Sequence, residues 1–254
     1  MPRHTTLAIV SIAAATLMTL ATQDAQAGDI IDHAPLTKLL GAHVDARGRV
    51  DYEAIRKNPD TLKALDAYLS HIARAKAGAG DAALAFYINA YNATVIRGVL
   101  ADRQTSGSYH SVLKIDGFFK KTKHTIAGRQ LTLDELEHKL IRPQFKDARV
   151  HFVLVCGATD CPRLRQQAMT HANVKAQLDR AAREYIPKAT RATTDGVQTS
   201  QLFNWFADDF KRDAGSVPAF LARYTTDDAL KARLADKNVK LSFSEYDWAL
   251  NIKK

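Results

Sequence analysis

An apolar run from Leu7 to Leu20 follows the opening Met1-Pro-Arg-His-Thr-Thr. Its length matches a secretory h-region of roughly 7–15 residues and falls short of the roughly 20 that a membrane-spanning helix needs. Arg3 and the terminal amine make a small positive n-region, and Ala25-Gln26-Ala27 places small residues at a peptidase site. The pattern predicts a cleavable signal peptide over residues 1–27 and one globular domain over residues 28–254. The expected location is periplasmic or secreted, with no membrane span after signal removal.

Beyond that run the pattern breaks into shorter elements. A short helical piece covers residues 35–40. From Thr61 to Ala75, Leu62, Leu65, Leu69 and Ile72 recur at helical spacing and predict an amphipathic helix. Residues 82–101 are apolar nearly all round, which predicts a central helix. Within it Asn89 and Asn92 sit three apart on one face, as a structural polar network or as part of a site. Residues 102–124 read as a long loop. Residues 124–131 read as a hairpin turning at Ala127-Gly128. Thr132-Leu-Asp-Glu135 is a capping box. The helix it opens is expected to stop at Pro143, with Leu133, Leu136 and Leu140 inward and Glu137 and His138 on its other sides.

Val150 to Val155 is a nearly continuous apolar run, Val-His-Phe-Val-Leu-Val, that predicts a doubly buried strand ending at Cys156-Gly157. Helices are expected over 171–188, along a face carrying Phe203, Phe206 and Phe210, and over 217–224 and 227–234. A closing strand is expected over 239–243. This order predicts an α+β single domain, with a small, mostly antiparallel sheet packed by several helices. Trp205, Asp247 and Trp248 are expected as packing residues.

Composition changes the picture in two places. The net charge is +9 and the signal residues removed include one Arg and one Asp, so the balance persists after cleavage. A basic exported chain suits an anionic cell-envelope polymer or a protein as partner. The dense patch Lys120-Lys121-Thr122-Lys123-His124 reads as a solvated loop, and neither motif nor compartment suits nucleic acid. The second is the cysteine count: there are two, Cys156 and Cys161. In an exported protein that favours a disulfide.

Several segments together resemble an uncharacterised family, the domain of unknown function 547. They are Ala85-Phe-Tyr-Ile-Asn-Ala-Tyr-Asn92, Leu133-Asp-Glu-Leu-Glu-His138, His151-Phe-Val-Leu-Val-Cys-Gly-Ala158 with Cys161-Pro162, Phe203-Asn-Trp-Phe-Ala-Asp-Asp-Phe210, and Tyr246-Asp-Trp-Ala-Leu-Asn251. They span roughly Val50 to Asn251. Arg163 stands where the family pattern usually has a second proline, and Tyr87 where it often has Trp. The resemblance implies no established activity. It does imply exported bacterial members, and plant members in which the domain follows coiled-coil segments, so that binding roles are open.

Three functional readings result. The first is a non-catalytic periplasmic binding or envelope-structural protein with a Cys156–Cys161 disulfide. The second is a cysteine-dependent hydrolase or acyltransferase of papain-like or transglutaminase-like arrangement. There Cys156 is the nucleophile, His138 the base and Glu137 or Asn89 its orienter, with the backbone of Gly157 and Ala158 as an oxyanion hole. Strand alternation would turn His151 away from Cys156, which favours His138 as base. The third is thiol–disulfide exchange, although Cys-x4-Cys is not the thioredoxin spacing. Neither a cofactor nor a metal site is expected.

Overall fold

The most apolar stretch of the sequence becomes helix α4 (Gly80–Ser106), the axis of the molecule. Every residue from Ala82 to Ile96 is buried, which a helix achieves only when packed on all sides. The computed structural model describes Met1 and residues 31–253. Apart from Met1, the expected signal peptide lies outside these residues. Among the described residues no helix is long and apolar enough to cross a membrane.

Helices α1 (Ala34–His43), α2 (Tyr52–Lys57) and α3 (Pro59–Arg74) cover one flank of α4. The α3 stripe presents Leu65, Tyr68 and Ile72 inward, with Asn58 as N-cap and Pro59 in the first turn. Helix α4 continues to Ser106, consuming the start of the expected loop, and stops at Gly107 in the left-handed region (φ 75°).

Strands β1 (His124–Ile126) and β2 (Arg129–Leu131) form the expected antiparallel hairpin. Ala127 and Gly128 both have positive φ, 51° and 73°. A non-glycine residue is costly there. The turn is held from outside: the Ala127 and Gly128 amides donate to the Ile72 and Ala73 carbonyls at 3.0 and 2.8 Å.

The capping box then opens a continuous helical stretch over residues 133–145. It comprises a turn of α5 (Leu133–Glu135), a wide π turn (Leu136–Ile141) and α6 (Arg142–Phe145). Pro143 therefore does not stop the helix. A proline ring ordinarily clashes with the carbonyl four residues earlier. That carbonyl, of Lys139, lies in the widened turn, which leaves room for the ring.

The expected strand over residues 150–155 is absent. Ala148–Phe152 form a 3-10 turn, and residues 153–155 follow without a strand partner. The reason lies on α4. Asn92 donates from Nδ2 to the Val153 carbonyl and accepts at Oδ1 from the Val155 amide, both at 2.9 Å. One side-chain amide thus replaces a ladder rung. Asn89 does the same for Met169, donating to its carbonyl at 2.8 Å and accepting from its amide at 2.9 Å. Both amides are structural staples.

Helix α7 (Val174–Ala189) leads into strands β3 (Arg191–Thr193) and β4 (Gly196–Thr199). Helices α8 (Leu202–Trp205), α9 (Ala207–Ala214), α10 (Val217–Ala222) and α11 (Asp228–Leu234) then cross over to β5 (Leu241–Phe243), parallel to β4. Two of the three strand pairings are antiparallel, and the whole is an α+β single domain. The expected single face of Phe203, Phe206 and Phe210 is broken at Phe206, which has φ −113° and ψ 25°.

The segment after β5 returns along the chain. Its backbone pairs with the loop after Cys156: Thr159 donates to Ala249 at 2.7 Å and Asn251 to Gly157 at 2.9 Å. Tyr52 also donates to Asn251 at 2.9 Å. Early, middle and late parts of the chain are tied at one place.

Candidate functional site

Five elements converge on a cavity of about 470 Å³. The stretch 133–145 supplies Asp134, Glu137, His138 and Arg142, with the π turn in its middle. Such widened turns recur at functional sites. Helix α4 supplies Tyr91, the 3-10 turn supplies His151, the α8–α9 break supplies Trp205 and Phe206, and the returning segment supplies Tyr246 and Trp248.

Cys156 and Cys161 are joined as a disulfide that lines the cavity. Tyr246 Oη lies 3.4 Å from Cys161 Sγ and 4.0 Å from Cys156 Sγ. Gly157 has a positive φ of 91°, and a Cβ there would meet Val112 Cγ1 at 3.2 Å, so the turn after Cys156 suits glycine. Gly157 and Ala158 are buried behind this turn and their carbonyls accept from the Asn251 and Cys161 amides. Neither lines the cavity, so the expected oxyanion hole does not face it.

Beneath the cavity runs a row of ionisable groups. Asp209 accepts from His151 Nε2 at 2.8 Å, from Arg142 Nε at 2.7 Å and from Arg212 Nη1 at 2.8 Å. Burial alone would raise the Asp209 pKa, but the hydrogen bonds from His151 and Arg142 hold it below the usual range. An ionised Asp209 can only accept, so the His151 proton sits on Nε2. Burial lowers the His151 pKa against the pull of Asp209, leaving a neutral ring. That ring stacks on Phe206 at 3.8 Å between centroids and 18° between planes.

The other nitrogen, Nδ1, faces Glu137 Oε1 at 3.8 Å, too long for a hydrogen bond. Burial raises the Glu137 pKa to about 7, although a hydrogen bond from Tyr91 opposes the rise. Glu137 is therefore a proton-holding carboxyl at the wall of a pocket.

His138 lines the same cavity as the sulfurs, but its ring nitrogens are directed to other partners. Its Nδ1 accepts from Arg142 Nη1 at 2.8 Å and its Nε2 faces Asp134 Oδ1 at 3.7 Å. Burial lowers its pKa first, with Asp134 opposing. With Nδ1 occupied by an obligate donor and Cys156 bonded to Cys161, the expected Cys156–His138 pair is not assembled. His151, expected to point away from Cys156, lines the same cavity, because the strand on which the alternation rested is not formed.

Three aromatic rings form the rim. Trp205 lies 5.0 Å from Tyr246 and 5.7 Å from Trp248, and Tyr246 lies 4.8 Å from Trp248. Trp205 is 45% exposed, so the expectation of a core tryptophan fails. Sequence reasoning also missed Asp209, Arg142 and Tyr91. One signal was available: Asp209 interrupts the apolar spacing between Phe206 and Phe210, and an acid on such a face calls for partners. Among the described residues, no group of three or more His, Cys, Asp or Glu is arranged to hold a metal ion.

These features define an α+β domain with a disulfide-walled, aromatic-rimmed pocket over a buried acid–imidazole row. Residues 77–186 match the model of a family described as "Protein of unknown function, DUF547", which supports a domain of that family in this chain. The matched range holds Glu137, His138, His151 and both cysteines, while Trp205, Asp209, Tyr246 and Trp248 lie beyond it. No curated protein and no solved structure matches the chain.

Proposed function

We propose that this is an exported, non-catalytic binding protein of the cell envelope whose ligand enters the aromatic-rimmed pocket and whose disulfide is structural. The ligand class is a glycan segment of an envelope polymer. One observation carries the reading: exposed Trp205 clusters with half-buried Tyr246 and Trp248 in a cavity that Glu137, His138 and His151 also line. A sugar ring has an apolar face that suits aromatic carbon and a hydroxyl edge that needs such partners. The apolar run over residues 7–20 supports export, with cleavage after Ala27.

The chain has two tryptophans, and both line this pocket, so fluorescence excited selectively at tryptophan reports on it. Titration with chitotriose and with a soluble muropeptide is expected to give a saturable change that Trp205→Ala abolishes. A flat signal with both ligands, from a folded protein, rejects the glycan reading. Mass spectrometry of periplasmic material tests export: the expected chain starts at Gly28.

A second reading has its own support in the buried Glu137, whose near-neutral pKa suits a general acid. It predicts slow cleavage of a bound glycan that Glu137→Gln stops without weakening binding. Cysteine-dependent acyl chemistry and thiol exchange both require the disulfide to open first.

A further inference from the structure

A separate cleft of about 440 Å³ lies on the other side of the disulfide loop, between that loop, α7 and strand β3. Cys161 lines both cavities. The cleft collects Arg163, Arg165, Lys188 and Arg191 against two carboxylates, Asp160 and Glu184.

The charge there is not balanced internally. Glu184 alone faces three guanidiniums, Arg163 at 3.2 Å, Arg165 at 2.8 Å and Arg180 at 2.9 Å. One carboxylate has four lone-pair sites but a single charge. Arg165 is buried, 7% exposed, and its Nε has no hydrogen-bond partner among the described residues. Arg165 bonds to one carboxylate that it shares with two other guanidiniums, and a buried charge so weakly compensated favours a further anion nearby. Tyr185 and Ser200 line the same cleft; Tyr185 donates to Ser200 at 2.8 Å, which leaves the Ser200 hydroxyl as the donor on offer.

From this geometry we propose that the cleft is an oxyanion site, taking a small ligand through its carboxylate or phosphoryl group. Arg163 and Arg165 form the fork that meets the oxyanion, because planar guanidiniums match such groups with paired hydrogen bonds. Lys188 and Arg191 add a field that concentrates anions at the mouth. The site does not depend on what fills the aromatic pocket.

The test is calorimetric titration of the protein, disulfide intact, with inorganic phosphate and separately with glucuronate. Saturable binding of one or both is expected, weakening as salt is raised. Arg165→Gln and Arg163→Gln are each expected to weaken it at least about tenfold. Trp205→Ala is expected to leave it unchanged. Should Arg165→Gln fail to fold, the partly exposed Arg163 carries the test. Binding of phosphate alone assigns a phosphoryl ligand, and binding of glucuronate alone a carboxylate. Saturation by neither anion, or binding that both arginine variants retain, overturns the proposal.

Discussion

Glu137 illustrates how one residue couples the site to pH. Burial disfavours its charged form and raises its pKa from 4.5 to about 7. The folded state then binds more protons than the unfolded chain between those values, so stability falls as pH rises through that window and is level above it. The shift corresponds to a loss on the order of 3 kcal/mol. Glu137→Gln removes this dependence. Urea unfolding at about pH 4.5 and about pH 8 is expected to show parent and variant alike in acid, with the variant more stable in base. A parent whose stability does not fall across that interval relative to the variant would show that Glu137 ionises freely.

At the scale of elements, the instructive segment is residues 150–155. Five apolar residues broken only by His151 satisfy the sequence criterion for a buried strand, and their burial is real. Apolar periodicity reports burial, however, and says nothing of where the backbone amides find partners. Here the partner is Asn92, 61 and 63 positions away in sequence. The same gap explains the helix that runs past Pro143, since a widened turn leaves no mark on the apolar pattern. Elements whose signals are local were legible: the capping box at Thr132, the Ala127-Gly128 turn and the α3 stripe. Asn92→Ala leaves two buried backbone groups unpaired and should cost about 2–4 kcal/mol. Hydrogen exchange should then speed at the Val155 amide ahead of the rest of the core.

For the whole molecule, the disulfide is the feature that the composition announced, and the pocket it lines is the one it did not. The cysteine pair could be read from its count together with the expectation of export. Trp205 and Tyr246 share the cavity with it and come from segments that only the folded chain brings together, and their spacing carries no trace of that meeting. The closed loop is short, with a sequence separation of 5, so its contribution through the unfolded chain is about 2 kcal/mol. The double variant Cys156→Ser, Cys161→Ser is expected to lose about that much while keeping its far-ultraviolet dichroism. A variant that fails to fold would mean that the bridge positions the surrounding loop as well as shortening it.

The pairing of residues 157–160 with 247–251 sets a timetable for assembly. During synthesis the cysteine loop leaves the ribosome about ninety residues before the strip that covers it, an order fixed by the chain alone. Until Tyr246 and Trp248 arrive, the pocket has no roof and the backbone of the loop has no mate. Binding competence is thus withheld until nearly the last residues are made, and a protease nick between Ser244 and Ala249 would be expected to revoke it while sparing the helical core.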